Sequence, residues 1–202
     1  MARTPKVVED RREQIIDAAM RVFAQKGYSN ATNKDIAREA GITPGLIYYY
    51  FESKEALLYA ILEARSPLKL MASFPPQVLE LPPEEFFPLL LRQVLGIIEG
   101  EDVVGLLRVM IPEVLHNPAL FALPVSLFPR LFGFLGNYVE AKIASGEIRP
   151  LDSSLVVQTL VGSVMGFVLR RQLLRDPLAL QYTHEQIAQA ITDPFLKGIL
   201  PR

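Results

Sequence analysis

Residues 31–63, "ATNKDIAREAGITPGLIYYYFESKEALLYAILE", contain three helix starts in close succession. Thr32 with Asp35 predicts a variant capping box, in which the hydroxyl accepts from a helix-start amide and the carboxylate reaches back to the cap. Thr43 and Ser53 are the kind of residue that caps the next two helices. The spacing therefore predicts three short helices with very little chain between them.

The turn between the second and third of these helices is only Gly41-Ile42, and Pro44 follows at a first helical position, where its missing N–H costs nothing. An amphipathic helix precedes them and ends at Gly27. Its apolar residues recur at helical spacing and are Ile15, Ala18, Ala19, Val22 and Phe23. Short helices joined by such a tight turn are typical of a helix-turn-helix, whose second helix enters the DNA major groove.

Three consecutive tyrosines and a phenylalanine, at positions 48–51, fill the end of the third helix. Consecutive side chains on a helix point about 100° apart, so a core cannot take all four rings. We expect Ile47, Tyr50 or Phe51 to face inward. Tyr48 and Tyr49 are expected to face outward, where a phenol can bond a phosphate oxygen and its ring can lie against a sugar.

The elements T-x-x-D-I-A, A-G-I-T and Y-x-Y-F-x-S-K-E-A-L within residues 31–63 together resemble the tetracycline-repressor (TetR) family of bacterial transcription regulators. The resemblance covers about a third of the chain directly. It implies phosphate contacts at Tyr48, Tyr50 and Lys54, with Tyr49 against the backbone or a base. Packing of the small helical unit is the alternative role for Tyr50 and, less so, for Tyr48.

Base reading departs from the family pattern, because Pro44, Gly45 and Leu46 stand where a basic residue, Gly and a hydroxyl residue are common. Pro44 and Leu46 can meet thymine methyl groups, and Gly45 allows close approach. Lys34 is the candidate for guanine, or for a phosphate only, supported by Asn33 or Thr43. The full predicted DNA-binding set is Thr32, Asn33, Lys34, Thr43, Pro44, Gly45, Leu46, Tyr48, Tyr49, Tyr50 and Lys54.

Charge gives no independent support for DNA binding. The whole chain has a net charge of −1, and residues 1–64 contain nine Lys plus Arg and nine Asp plus Glu. The N-terminal arm carries Arg3 and Lys6 with no acid before Glu9, which suits a minor-groove contact or disorder without a role.

The fold class is predicted to be all-α, since long Leu-rich and Phe-rich helical patterns follow and no alternating strand pattern is present. Residues 66–83 contain five prolines and are predicted as a linker or irregular connection. Helices are expected at 83–99, 101–116, 125–145, 153–175 and 183–199. We predict a DNA-binding domain at 1–52 and a ligand-binding and dimerisation domain at 53–202, with 53–66 as the connecting helix.

The second domain is rich in phenylalanine, which either lines a cavity or fills a core. We expect an apolar effector of the fatty acyl or aromatic acyl type, with no cofactor. The residues predicted to line its site are Ile61, Arg65, Phe87, Leu90, Arg108, Phe128, Phe132 and Phe167.

Residues 153–169 form an uncharged run of 17, which falls short of the roughly 20 residues of a membrane span, and no membrane partner is expected. Gly162 and Gly166 lie four apart on one helix face. The family resemblance implies that the last two helices form a four-helix bundle with a second subunit; burial inside the monomer is the alternative. The predicted dimer residues are Val157, Gly162, Gly166, Ile187 and Ile191.

Catalysis and metal binding find no support, because His116 and His184 lack a ligand cluster and no nucleotide-binding glycine loop occurs. The prediction is therefore a ligand-responsive repressor, not an enzyme. It would bind a palindromic double-stranded operator as a homodimer.

The absence of cysteine and of a leader-like N-terminus predicts a cytoplasmic location. The alternative is a helical lipid-carrying or enzymatic protein whose first helices make protein contacts.

Overall fold

The computed structural model describes residues 5–65, 67–100, 103–105, 107–108, 111 and 128–201, and these ranges contain helices and turns but no strand. The all-α prediction is confirmed. The chain forms two compact units, residues 1–65 with 101–126 and residues 66–100 with 127–202. The helix predicted to connect two domains thus falls in the first unit, and the predicted boundary at residue 52 stays a prediction.

Within residues 5–65, the described N-terminal part of the first unit, hereafter the N-terminal unit, there are four helices: α1 (Pro5–Lys26), α2 (Asn33–Glu39), α3 (Pro44–Tyr50) and α4 (Lys54–Arg65). Thr32 and Asp35 form the predicted capping box at α2. Ser53 caps α4, where its hydroxyl accepts from the amide of Ala56 at 3.1 Å. Gly41 ends the α2 turn at φ +64°, a left-handed conformation that favours glycine.

Thr43 differs from its prediction in one respect. It occupies the N-cap position of α3, but its side chain makes no capping hydrogen bond. Pro44 stands at the start of α3 as predicted, and its fixed φ is already suited to a helix. The hydroxyl of Thr43 is therefore not committed to the helix start.

The core of this unit draws on all four helices. Each fully buried Ile, Leu or Phe side chain contributes about 1.5–3 kcal/mol. These side chains are Ile15, Ile16, Phe23, Ile36, Ile47, Leu57, Leu58 and Ile61. Because α4 supplies three of them, it is an integral part of the first unit.

The C-terminal unit contains α5 (Pro67–Ser73), α6 (Pro76–Glu80), α7 (Pro83–Ile98), α8 (Phe128–Ala144), α9 (Ser153–Val168), α10 (Pro177–Leu180) and α11 (His184–Ile199). A π-helical turn, Leu169–Leu173, continues α9. Helix α7 packs mainly on α11, and α8 packs on α9.

The prediction of an irregular connection at 66–83 is wrong, since α5 and α6 lie within it. Pro67 and Pro76 begin these two helices. A proline at the first helical position disturbs nothing, so a proline-rich segment is compatible with short helices. The helix predicted at 101–116 lies mostly outside the described residues.

Aromatic rings fill the interior between α7, α8 and α11. Phe86 stacks on Tyr138 with ring centroids 3.8 Å apart, and Phe87 meets Tyr138 and Phe195 edge-on. The Tyr138 hydroxyl donates to the Leu81 carbonyl at 2.8 Å. Burial raises the pKa of Tyr138, so this hydroxyl stays protonated and remains a donor.

A buried ion pair joins three helix ends in the same unit. The carboxylate of Glu99, with its side chain 2% exposed, accepts from Arg171 Nε at 2.8 Å and lies 2.8 Å from His184 Nε2. Arg171 also donates to the carbonyls of Ala179 and Tyr182. Glu99 follows α7, Arg171 lies in the π-helical turn and His184 begins α11. The buried charges of Glu99 and Arg171 are stabilised here because each group is hydrogen-bonded as well as paired.

Removing Glu99 is expected to destabilise the fold strongly, because Arg171 would be left as a buried charge without its counter-ion. We expect Glu99→Ala to lower the free energy of unfolding by about 3–5 kcal/mol. The control, Glu185→Ala, breaks an ion pair with Arg92 in which both side chains are 47% exposed, and should cost less than about 1 kcal/mol. Urea titrations of the two variants compare these values, and equal losses would contradict the assignment.

Candidate DNA-binding surface

Helix α3 divides its side chains between core and solvent. Ile47 is 1% exposed and faces the core. Tyr48 and Tyr49 are 60% and 73% exposed, among the large apolar or aromatic side chains with the most exposed surface. Pro44 and Gly45, one turn earlier on the same face, are also exposed. The prediction that Tyr48 and Tyr49 point away from the protein interior is therefore confirmed, and we call this side the outer face of α3.

Gly45 has no structural reason to be glycine in this chain. Its φ is not positive, and a Cβ built on it meets no atom within 4 Å. Alanine would also favour the helix by up to about 1 kcal/mol. The missing side chain thus leaves room above α3 that the fold itself does not need.

Most of the other residues predicted to contact DNA lie at the start of α2, on α3 and in the turn between them. Thr32, Lys34 and Thr43 are exposed, whereas Asn33 and Leu46 are half-buried. Asn33 and Lys34 lie in the first turn of α2, which packs on α3. The helix-turn-helix therefore brings the predicted set to one region of the N-terminal unit, with two exceptions.

Tyr50 is the first exception. Its ring packs against the core of the N-terminal unit and meets Tyr49 edge-on at 5.2 Å. Its hydroxyl oxygen is buried and has no hydrogen-bond partner among the described residues. A hydroxyl without accessible surface cannot reach a phosphate, so Tyr50 belongs to the packing of the unit, the alternative considered for it.

Lys54 is the second exception. Its ammonium group donates to the carbonyls of Tyr28, Ser29 and Ala31, at 2.9, 3.3 and 3.2 Å. It also lies 4.5 Å from the centroid of the Tyr28 ring. An ammonium group has three N–H donors, and all three have acceptors here. The ammonium group of Lys54 is thus engaged by contacts within the protein, and its phosphate contact stays a prediction.

Intramolecular contacts engage nearly every cation whose side chain is described in residues 10–65. The partners are acids or carbonyls for most of them, a glutamine for Arg11 and the Phe51 ring for Arg12. The engaged cations are Arg11, Arg12, Arg21, Lys26, Arg38, Lys54 and Arg65. Within this described range, Lys34 alone has no hydrogen bond, ion pair or ring contact.

Asp35, in the first turn of α2, forms ion pairs with two cations. It accepts from Lys26 at 2.6 Å and from Arg38 at 2.9 Å, besides its capping bonds with Thr32. The hydrogen bond from Lys26, followed by that from Thr32, lowers the pKa of Asp35 to about 2. A lowered pKa means that this stabilisation is complete above the ordinary value of 3.8 and is lost as the pH falls towards 2.

Four of the residues predicted to line an effector site have other partners. Ile61 is 0% exposed in the core of the N-terminal unit, and Arg65 forms ion pairs with Glu13 and Asp17 of α1. Phe87 and Leu90 are 1% and 2% exposed in the core of the C-terminal unit. These side chains fill cores because their helices pack there, a distinction that a phenylalanine pattern alone does not reveal.

The other four predicted lining residues differ in exposure. Phe132 and Phe167 are half-buried, and Arg108 is exposed. Phe128 begins α8, but its side chain lies outside the described part of the chain.

The predicted dimer residues separate into two groups. Val157, Ile187 and Ile191 are 1%, 1% and 5% exposed, so they pack inside their own unit and offer almost no surface to a partner. Gly162 and Gly166 are exposed. The correction is one of helix face: the buried face of α9 holds Val157, and the glycines lie on the opposite face.

An exposed apolar stripe runs along that opposite face of α9, and the sequence reading did not identify it. Leu155, Met165 and Leu169 are 66%, 42% and 45% exposed, at the same helical face as Gly162. Met165 and Leu169 follow Leu155 by 10 and 14 residues, which places the three within about 80° of one another around the helix, and this periodicity is the signal that the sequence contains.

The segment Ser153–Leu173 is long and apolar enough to cross a membrane by length and composition, and 28% of it is buried in the chain. Near its end, Arg171 pairs with the buried Glu99 of the same unit. The alternative of burial inside the monomer thus applies to one face of the helix only. No group of three or more metal-ligating side chains occurs within the described residues.

Residues 15–61 match the family described as "Bacterial regulatory proteins, tetR family". The HTH-type transcriptional regulator HbdR of Aromatoleum sp. (strain CIB) is 49% identical over 59 residues, 29% of this chain and 26% of HbdR. The chain spans about a quarter to a half of the length of such curated relatives.

Solved structures match over the whole fold. A TetR-family transcriptional regulator from Mesorhizobium loti superposes with a TM-score of 0.76 and 21% identity, covering 98% of this chain and 100% of that one. The transcriptional regulator FadR of Bacillus subtilis, solved with stearoyl-CoA, has a TM-score of 0.73 and 23% identity over 93% of this chain and 98% of FadR. The chain thus shares its helix-turn-helix segment with the tetR family of bacterial regulatory proteins and its all-α fold with these solved structures.

Proposed function

We propose that this chain is a cytoplasmic transcriptional repressor that binds a palindromic operator as a homodimer and is released by a small apolar effector. The outer face of α3 carries the proposal. Its two tyrosines and Gly45 are exposed without a role in the core, next to the unpaired Lys34. A ring and a hydroxyl can lie on the sugar-phosphate backbone, and a lysine can donate to guanine.

Recognition in this proposal depends little on net charge. Most described cations of the N-terminal unit are already paired, so few remain to neutralise phosphates. A weak basic field means modest binding to random DNA. Sequence preference then comes from Lys34, from methyl contacts of Pro44 and from the fit of α3 in the groove.

Self-association is supported by the apolar stripe on α9. Leu155, Met165 and Leu169 expose apolar surface, and the two exposed glycines between them let a second helix come close. A helix face that is apolar and uncharged is usually covered by another protein surface. A second copy of the chain is the partner that a palindromic operator requires.

The effector is proposed from the fold and from one relative. FadR of Bacillus subtilis, which shares the fold, was solved with stearoyl-CoA. We propose an acyl or aromatic acyl effector for this chain as well, with Phe132 and Phe167 as the lining candidates that remain half-buried. Stearoyl-CoA is the first compound to test, with native mass spectrometry of freshly purified protein to weigh any ligand that co-purifies.

The experiment that tests the proposed function selects duplexes from a random library with the wild-type protein. Fluorescence anisotropy then compares the recovered duplex with a scrambled one. A specific repressor prefers the recovered duplex by about 10³-fold or more. Failure to recover any sequence would count against the proposal.

Gly45→Ala tests the close approach of α3 to DNA. Because the added Cβ meets no protein atom, the melting temperature should stay the same or rise. Affinity for the recovered duplex should fall about tenfold, roughly 1.4 kcal/mol, because the methyl group occupies the space that DNA needs. Gly96→Ala in α7, where a Cβ also meets nothing, is the control and should bind normally. Normal binding by Gly45→Ala would remove α3 from the contact surface.

Met165→Lys tests the dimer surface. The side chain is 42% exposed in the single chain, so a lysine there leaves the monomer folded but puts a charge in the proposed interface. Sedimentation over a dilution series should show at least a tenfold weaker dimer, about 1.4 kcal/mol. Leu79→Lys on α6, at a position 40% exposed, is the matched control and should remain dimeric. An unchanged dimer with Met165→Lys would move the interface elsewhere.

A further inference from the structure

The ammonium group of Lys54 closes the connection between α1 and α2. Its three carbonyl acceptors belong to Tyr28, Ser29 and Ala31, all in the segment that links those helices. The Tyr28 ring covers it at 4.5 Å. The side chain of the first residue of α4 therefore binds three of the four carbonyls in residues 28–31, a segment distant in sequence.

These contacts satisfy the lysine and the loop at the same time. Loop carbonyls that lack a partner are costly when they are partly buried, and hydrogen bonds to a charged donor are the stronger kind. A phosphate could attract Lys54 only by breaking at least one of these bonds. The geometry thus favours a lysine that stays on the loop when DNA binds.

The loop that Lys54 holds leads directly into the candidate reading residues. Ala31 precedes Thr32, the N-cap of α2, and Lys34 follows in the first turn. Asp35 and Lys26 fix the same turn from the other side through a 2.6 Å ion pair. The position of Lys34 therefore depends on two anchors, the Lys26–Asp35 pair and the Lys54 contacts with the loop.

The far end of α4 is anchored as well. Arg65 pairs with Glu13 at 3.3 Å and with Asp17, both on α1. Helix α4 is thus bound to α1 at its last residue and to the α1–α2 connection at its first. Besides the shared core, Lys54 thus gives α4 a direct polar link to the segment that leads into α2.

We propose that Lys54 is a positioning residue, which holds the α1–α2 connection on α4 and so fixes Lys34 for DNA, without itself contacting phosphate. This inference rests on the proposed function, because Lys34 matters only if the chain binds DNA. It assigns to Lys54 a role different from the phosphate contact that the sequence resemblance implies.

The test is a double-mutant cycle of Lys54→Met and Lys34→Ala on the duplex recovered from the random library. Methionine keeps an unbranched side chain but removes the charge and the donors. In the protein with wild-type Lys34, Lys54→Met should weaken DNA binding about tenfold. In the Lys34→Ala background it should weaken binding by less than about twofold, because its effect acts through Lys34. A general loss of stability would give the same factor in both backgrounds.

The salt dependence of DNA binding distinguishes the proposed positioning role of Lys54 from a phosphate contact. A lysine that neutralises one phosphate contributes about 0.9 to the slope of log affinity against log salt. We expect Lys54→Met to leave this slope unchanged. A slope that falls by about one, or equal losses in both backgrounds, would overturn the assignment while leaving DNA binding established.

A second measurement needs only the wild-type protein and covers the case in which Lys54→Met does not fold. Acetic anhydride labels lysines according to the availability of their amines, and mass spectrometry reads each site. In the free protein Lys54 should react slowly and Lys34 quickly; DNA should protect Lys34 and leave the Lys54 rate unchanged. Fast labelling of Lys54 that DNA suppresses would identify a phosphate contact. If no duplex is recovered at all, the proposed function fails, and this inference fails with it.

Discussion

The N-terminal unit depends on how the seven residues of α3 divide between core and surface. Ile47 is buried at 1%, and the Phe51 ring that ends the helix is buried at 5%. With these two side chains fixed inward, helical geometry turns Tyr48 and Tyr49 outward. The hydrophobic core therefore sets which side chains of α3 are exposed, and the proposed contact face follows from packing rather than from charge.

Electrostatics in this unit stabilises the protein more than it attracts a partner. The acids pair with the cations: Asp35 with Lys26 and Arg38, and Glu39 with Arg21. Exposed pairs of this kind contribute little individually, but they leave few free positive charges. The proposed DNA-binding surface would therefore depend on shape, on ring contacts and on Lys34, which is unpaired among the described residues 10–65.

The C-terminal unit uses a different balance. Its helix ends are held by a buried ion pair, Glu99 with Arg171, and by a phenylalanine-rich interior. The outer face of α9 remains apolar and exposed in the single chain. This combination of a well-satisfied interior and an unsatisfied outer face explains why an uncharged 17-residue run occurs in a chain of otherwise ordinary composition.

Local rules were enough to predict much of the fold from the sequence. The capping box of Thr32, the cap of Ser53 and the long helices near 83–99, 128–145, 153–175 and 183–199 all depend on neighbours in the chain, and they were predicted correctly. The outward direction of Tyr48 and Tyr49 followed from helical periodicity.

What the sequence did not reveal depends on distant partners. Lys54 is a flexible side chain, and its carbonyl acceptors lie 23 to 26 residues away. Val157 and Gly162 lie on opposite faces of one helix, and packing against α7, α8 and α11 decides which face is covered. The prolines of residues 66–83 were read as breaks, although proline also starts helices.

Hydroxyl-radical footprinting of the duplex recovered with the wild-type protein tests the central claim most directly, because it maps contacts on DNA without altering the chain. A dimer that inserts two copies of α3 should protect two blocks related by a two-fold axis, with centres about 34–36 Å apart along the helix. A single protected block, or equal protection of all nucleotides along the duplex, would contradict the account.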